Sequence, residues 1–131
     1  MRLVIDCNVV ISAALAPGTC RRLIEKAVGE HTILLCDDIV SEYRLVARRP
    51  KFAGCRDALE DIISVLVAVG LSVDLPSTSF ALPDPADEIY VAAAVAGSAG
   101  ALITGNTRHF AGLQEIEVEV LTPRQFLDRY P

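Results

Sequence analysis

Short apolar runs alternate with longer stretches of helical periodicity along this chain. The runs at 2–6, 32–36, 71–75, 101–104 and 118–121 have the length and continuity of buried strands. Between them lie helical patterns. Residues 19–28 place Leu23, Ile24, Ala27 and Val28 on one face. Residues 39–48 follow Asp37 and Asp38, either of which can cap a helix, and Pro50 ends the pattern. Residues 56–69 carry Leu59, Ile62, Ile63, Leu66 and Val69 at helical spacing, with Gly70 as the C-cap. Residues 87–96 and a short 123–130, where Pro123 suits a first turn, complete the set. Strands alternating with helices predict an α/β fold: one doubly wound, mostly parallel sheet of about five strands with helices on both faces. The stretch 76–85, with three prolines, two serines and a threonine, reads as the one long loop.

Composition narrows the class. A chain of 131 residues fits one domain spanning 1–131, and 52% apolar content supplies a sizeable core. The net charge of −5 gives no overall attraction for nucleic acid, so any such binding must use a local basic patch. Cys7, Cys20, Cys36 and Cys55 show no C-x-x-C spacing and read as reduced thiols in a cytoplasmic protein. Met1-Arg2 and Ala14-Leu15-Ala16 superficially imitate a signal peptide, but Asp6 and Asn8 interrupt its apolar core. The longest uncharged stretch, 89–107, is broken by Gly97, Gly100 and Gly105, so no membrane span is expected.

Four polar positions change the picture further. Asp6 ends the first apolar run, Glu42 lies on the first turn of the 39–48 helix, Asp87 opens another helix, and Asn106 follows the 101–104 run. In open α/β sheets, ligands bind outside the carboxyl ends of the strands, where strand order reverses. Three carboxylates and an amide delivered there suit a hard divalent cation and metal-assisted hydrolysis. Each fragment has a blander reading. Asp6 can cap the next helix, Glu42 is favoured by the helix dipole, and Thr104-Gly105-Asn106 can be a simple turn. Asp84 and Asp87, three apart at a helix start, exceed what capping requires.

Taken in order, these segments resemble the PIN-domain ribonucleases, in particular the bacterial and archaeal toxins of toxin–antitoxin pairs. Asp6-Cys7-Asn8 is similar to the family's opening Asp-Thr-Asn, with Cys7 in place of Thr. Glu42, the segment Arg49-Pro50-Lys51-Phe52, and Asp84-Pro85-Ala86-Asp87 followed by Val91-Ala92-Ala93-Ala94 also match, as do Thr104-Gly105-Asn106 and His109-Phe110. Asn106 stands where many members carry Asp. The resemblance implies a single PIN-like domain and an Mg²⁺- or Mn²⁺-dependent endoribonuclease, with an antitoxin protein as partner. Asp6 and Asp87 would be direct metal ligands, Glu42 would hold or help deprotonate a metal water, and Asn106 would complete the shell. Asn8, Ser41, Asp84 and Thr104 are expected around them, orienting the carboxylates.

An RNA substrate requires positive charge. Arg44, Arg48, Arg49, Lys51 and Arg56 cluster five of the twelve basic residues, and Arg108 and His109 are the next candidates. The same segment, with Tyr43 and Phe52, has the aromatic and arginine content enriched at protein interfaces, which fits a homodimer or an antitoxin dock. Two other functions compete. A catalytically weakened PIN domain would bind RNA or protein, and Asn106 favours it. A phosphate-transfer domain using Asp6 as nucleophile needs a Lys after a later strand, and 101–106 supplies none.

Overall fold

A computed structural model describes residues 1–75, 82, 84–111 and 116–131. Five strands, β1 (Arg2–Ile5), β2 (Thr32–Leu35), β3 (Leu71–Ser72), β4 (Ala101–Ile103) and β5 (Glu119–Leu121), form one parallel sheet in the order β3-β2-β1-β4-β5. The six helices are α1 (Cys7–Leu15), α2 (Thr19–Glu30), α3 (Asp37–Ala47), α4 (Arg56–Val69), α5 (Glu88–Ala96) and α6 (Pro123–Arg129). Short 3₁₀ turns cover Pro50–Cys55, Pro85–Asp87 and Thr107–Phe110. The chain steps outward from β1 through β2 to β3, then returns to β4 on the other side of β1. Strand order therefore reverses between β1 and β4, as the doubly wound reading requires.

Burial explains the pattern. Leu3, Val4 and Ile5 on β1 and Ala101, Leu102 and Ile103 on β4 are all buried, because helices cover both faces. In α5 the small residues Ala92, Ala93 and Ala94 let the helix lie close across β1, β2 and β4. On α4, Leu59, Ile63 and Leu66 face the core at helical spacing. A capping box closes the start of α6, with Thr122 and Gln125 exchanging hydrogen bonds at 3.1 and 2.9 Å.

Several boundaries differ from the sequence reading. The β3 strand has two residues instead of five: among the described residues it is an edge strand with one neighbour, and only Val73 extends its pairing, donating to Leu35 at 2.8 Å. Helix α3 begins at Asp37, with Cys36 at the N-cap and no side-chain cap. Asp37 and Asp38 thus act through the helix dipole in its first turn. Glu42 consequently lies on the second turn, not the first. The expected 76–85 loop falls largely outside the described residues.

Gly70 follows α4 in extended backbone, φ −69° and ψ 153°, so it is not needed for a left-handed cap. Close approach is the reason for glycine: an added Cβ would meet the Leu66 carbonyl at 2.7 Å and Leu35 Cδ1 at 2.5 Å. Gly70→Ala should cost about 1–3 kcal/mol, the range for overpacking a filled core. A urea unfolding curve checks it, and an unchanged midpoint would mean the α4–β2 contact yields freely.

Candidate active site

The carboxyl ends of β1 and β4 are joined by side chains as well as by backbone. The Asp6 amide donates to the Ile103 carbonyl at 2.8 Å, one step beyond the strand. Thr104, fully buried, donates its hydroxyl to Asp6 Oδ2 at 2.7 Å. Asn8 reaches the same oxygen with Nδ2 at 3.2 Å, while its Oδ1 accepts the Gly105 amide at 3.1 Å. Asp6 occupies the N-cap of α1 without making a side-chain capping bond. Its carboxylate is used across the switch point, and the capping reading gives way to that geometry.

Asp87 arrives from the other side, at the end of the 3₁₀ turn that Asp84 caps through the Ala86 amide at 3.0 Å. Its Oδ2 lies 3.1 Å from His109 Nδ1. Asp6, Asn8, Glu42, Arg49, Asp84 and Asp87 all line one shallow cleft of about 190 Å³, together with Cys7 and His109. Ligand atoms of Asp84, Asp87 and His109 lie within 4.8 Å of one another.

Electrostatics match this crowding. Burial raises the Asp6 carboxyl above its usual range, the Thr104 bond opposes the rise, and the Asp87 charge adds to it. Asp87 is likewise raised by burial, with His109 opposing and Asp84 and Glu42 adding. Cys7 is pushed up to about 12, chiefly by burial and then by Asp6 and Glu42. It therefore stays a neutral thiol, and the donor set remains oxygen-rich with one imidazole. Such a set fits a hard divalent cation such as Mg²⁺ or Mn²⁺.

Some sequence-selected residues lie elsewhere. Ser41 is adjacent to Glu42 but points about 100° away around the helix, into a separate cleft with Arg44, Asp37 and Ser72. Among the described residues it makes no hydrogen bond to the carboxylates of the acidic cleft. Asn106 lines a neighbouring cleft, because the turn held by Asn8 and Gly105 carries it past the acidic one. The basic cluster is dispersed as well. Arg49 reaches the acidic cleft, while Arg48, Lys51 and Arg108 are exposed outside it. Arg56 is committed to the C-terminal end of α3, donating to the carbonyls of Ala47, Arg48 and Arg49 at 3.1–3.4 Å. Tyr43 is buried and donates to the Ile5 carbonyl, so it cannot serve an interface. The pairing of His109 with Asp87 escaped the sequence reading; a histidine three residues past the turn at Asn106 was its only trace.

Comparison with known proteins agrees with this architecture. The model of the PIN domain family matches residues 2–108. VapBC2 from Rickettsia felis, solved bound to a DNA fragment from their promoter, contains a chain of similar fold, with TM-score 0.64 and 14% identity over 92% of this chain and 98% of that one. A chain of FitAcB from Neisseria gonorrhoeae is also similar, with TM-score 0.58 and 20% identity over 93% of this chain and 98% of that one. No curated protein sequence matches as a relative.

Proposed function

The chain belongs to the PIN-domain family, and from that premise we propose that it is a metal-dependent endoribonuclease held in check by an antitoxin-like partner in the cytoplasm. The observation that carries this reading is the convergence of Asp6, Glu42, Asp84 and Asp87 in one cleft at the sheet's switch point. Four carboxylates crowded without a cation are mutually repulsive, and two of them are already pushed toward protonation. A bound Mg²⁺ or Mn²⁺ would supply a water of lowered pKa and neutralise charge on the phosphate.

Asp6 and Asp87 are the groups to hold that ion. Asp6 takes both of its side-chain hydrogen bonds on Oδ2, so the carboxylate is fixed while Oδ1 has no side-chain partner among the described residues. Glu42 reaches the cleft from α3 and is placed to accept a proton from the attacking water. An ionised Asp87 can only accept, so His109 would donate from Nδ1, and its Nε2, when protonated, would give a proton to the leaving oxygen. Arg49, on the rim, attracts the phosphate into an otherwise acidic cleft. Among the described residues no helix is long and apolar enough to cross a membrane.

An RNA cleavage assay with and without added Mn²⁺ tests the reading, with chelator as the blank. Metal-independent cleavage, or none at any metal concentration, would overturn it. The second outcome, with RNA still bound, would favour a binding module.

A further inference from the structure

Beside the acidic cleft lies a second one of about 270 Å³, formed by α1, the start of α2, the turn after β4 and the start of α6. Asn8 belongs to both clefts. Among the described residues, no carboxylate lines the second; Ser12 and Asn106 are its other polar side chains there, apart from the Cys20 thiol. Two guanidinium groups meet at residues that neighbour this lining along the chain: Thr19 precedes Cys20, and Arg124 follows Pro123. Arg22 and Arg124, from opposite parts of the chain, each place Nη2 3.5 Å from the single hydroxyl of Thr19.

That meeting is unusual for an acidic chain. Asp and Glu outnumber Lys and Arg by 17 to 12, yet neither arginine has a carboxylate partner among the described residues. Two cations on one neutral hydroxyl repel each other. Their forked donors become favourable when an anion lies between them, and planar guanidinium suits phosphate best.

Resting on the reading of the acidic cleft as a ribonuclease centre, we propose that the second cleft is a nucleotide subsite. It holds the nucleotide next to the scissile phosphate, with the base against Asn106 and Ser12 and the outer phosphate between Arg22 and Arg124. Asn106 offers both a donor and an acceptor to a base edge, and Ser12 offers either. Base edges are open to such contacts in single-stranded RNA. Asn8 forms the partition: with Nδ2 on Asp6 and Oδ1 on the Gly105 amide, it fixes the spacing of the two clefts. In this chain Asn106 therefore reads the substrate instead of completing the metal shell.

The test measures binding of a fluorescent, 2′-O-methylated single-stranded RNA in chelator, so that neither metal nor cleavage enters the readout. Arg22→Ala/Arg124→Ala should weaken binding roughly tenfold, the loss of a charge-assisted contact. It should also flatten the log–log salt dependence by about 0.7, the value for one phosphate on a single strand. Both arginines are exposed, so the fold is kept. Asn106→Ala should alter base preference at one position while Mn²⁺ affinity stays at the parental value. Parental RNA affinity and slope in the Arg22/Arg124 variant would overturn the subsite, as would a loss of Mn²⁺ binding in Asn106→Ala. Failure of the ribonuclease reading looks different: the parent would not cleave, yet the dependence of binding on Arg22 and Arg124 would persist.

Discussion

Asp87→Asn and Asp6→Asn should each lower RNA cleavage about 10²–10³-fold, the scale of losing one preorganised electrostatic partner in an active site. Both substitutions are unusually clean. Thr104 and Asn8 donate to the same Asp6 oxygen, so an amide oxygen can accept both bonds. At Asp87 the bond from His109, its one side-chain partner among the described residues, is likewise compatible with an amide oxygen. What is lost is negative charge where the proposed cation would sit, with the side-chain volume preserved. A single-turnover assay at saturating Mn²⁺ measures the change, and Ser41→Ala, outside the cleft, should match the parent. Parental cleavage by Asp87→Asn would remove this cleft as the active site.

A large effect is also expected on stability. Asp6 and Asp87 both have carboxyl groups raised by burial above the ordinary value of 3.8. A raised carboxyl binds its proton more tightly in the folded state than in the unfolded one. Its stabilising contribution is therefore complete below the unfolded value and is lost as pH rises through the folded value. Without metal, these two groups should make the protein more stable as pH falls from neutrality toward 4. Asp6→Asn removes one charge from the cluster, so its metal-free melting temperature should rise at neutral pH. Cation binding supplies the missing counter-charge for the parent. At a hundredfold excess over Kd it should stabilise by about 2.7 kcal/mol, or roughly 10 °C for a domain of this size. Asp6→Asn should lose most of that response. Calorimetry at pH 5 and 7, with and without Mn²⁺, separates these outcomes, and a parent indifferent to metal would sink the cation site.

The sheet was legible in the sequence because its central strands are buried on both faces. Ala101, Leu102 and Ile103 have no polar residue among them, and a short apolar run between helical patterns has few other uses. The weak end of that reading was β3, where an edge position lets Ser72 and Asp74 face solvent and pairing stops after a few residues. Candidate site residues at strand and 3₁₀-turn ends, such as Asp6 and Asp87, follow from topology alone. Side-chain direction on a helix or within a turn does not. Ser41 and Glu42 are neighbours in sequence yet serve different clefts, and Asn106 is carried aside by a bond from Gly105 to a residue 97 positions away. What each arginine does with its donors was hidden in the sequence for a related reason. Arg56 spends its donors on backbone carbonyls, whereas Arg22 and Arg124 meet only in three dimensions.

The bond from Thr104 to Asp6 spans 98 positions. A ribosome delivers residues in order, at roughly 5–20 per second. Until Thr104 leaves the exit tunnel, β1 has no β4 beside it, and Asp6 lacks the hydroxyl that fixes it. Asp87 is by then already made, but its partner His109 is later still. An enzyme that attacks RNA is synthesised beside RNA. On the proposed ribonuclease reading, placing the closing half of the centre late in the chain would keep the nascent protein inert for most of its translation, with activity beginning only when almost all of the described fold can form.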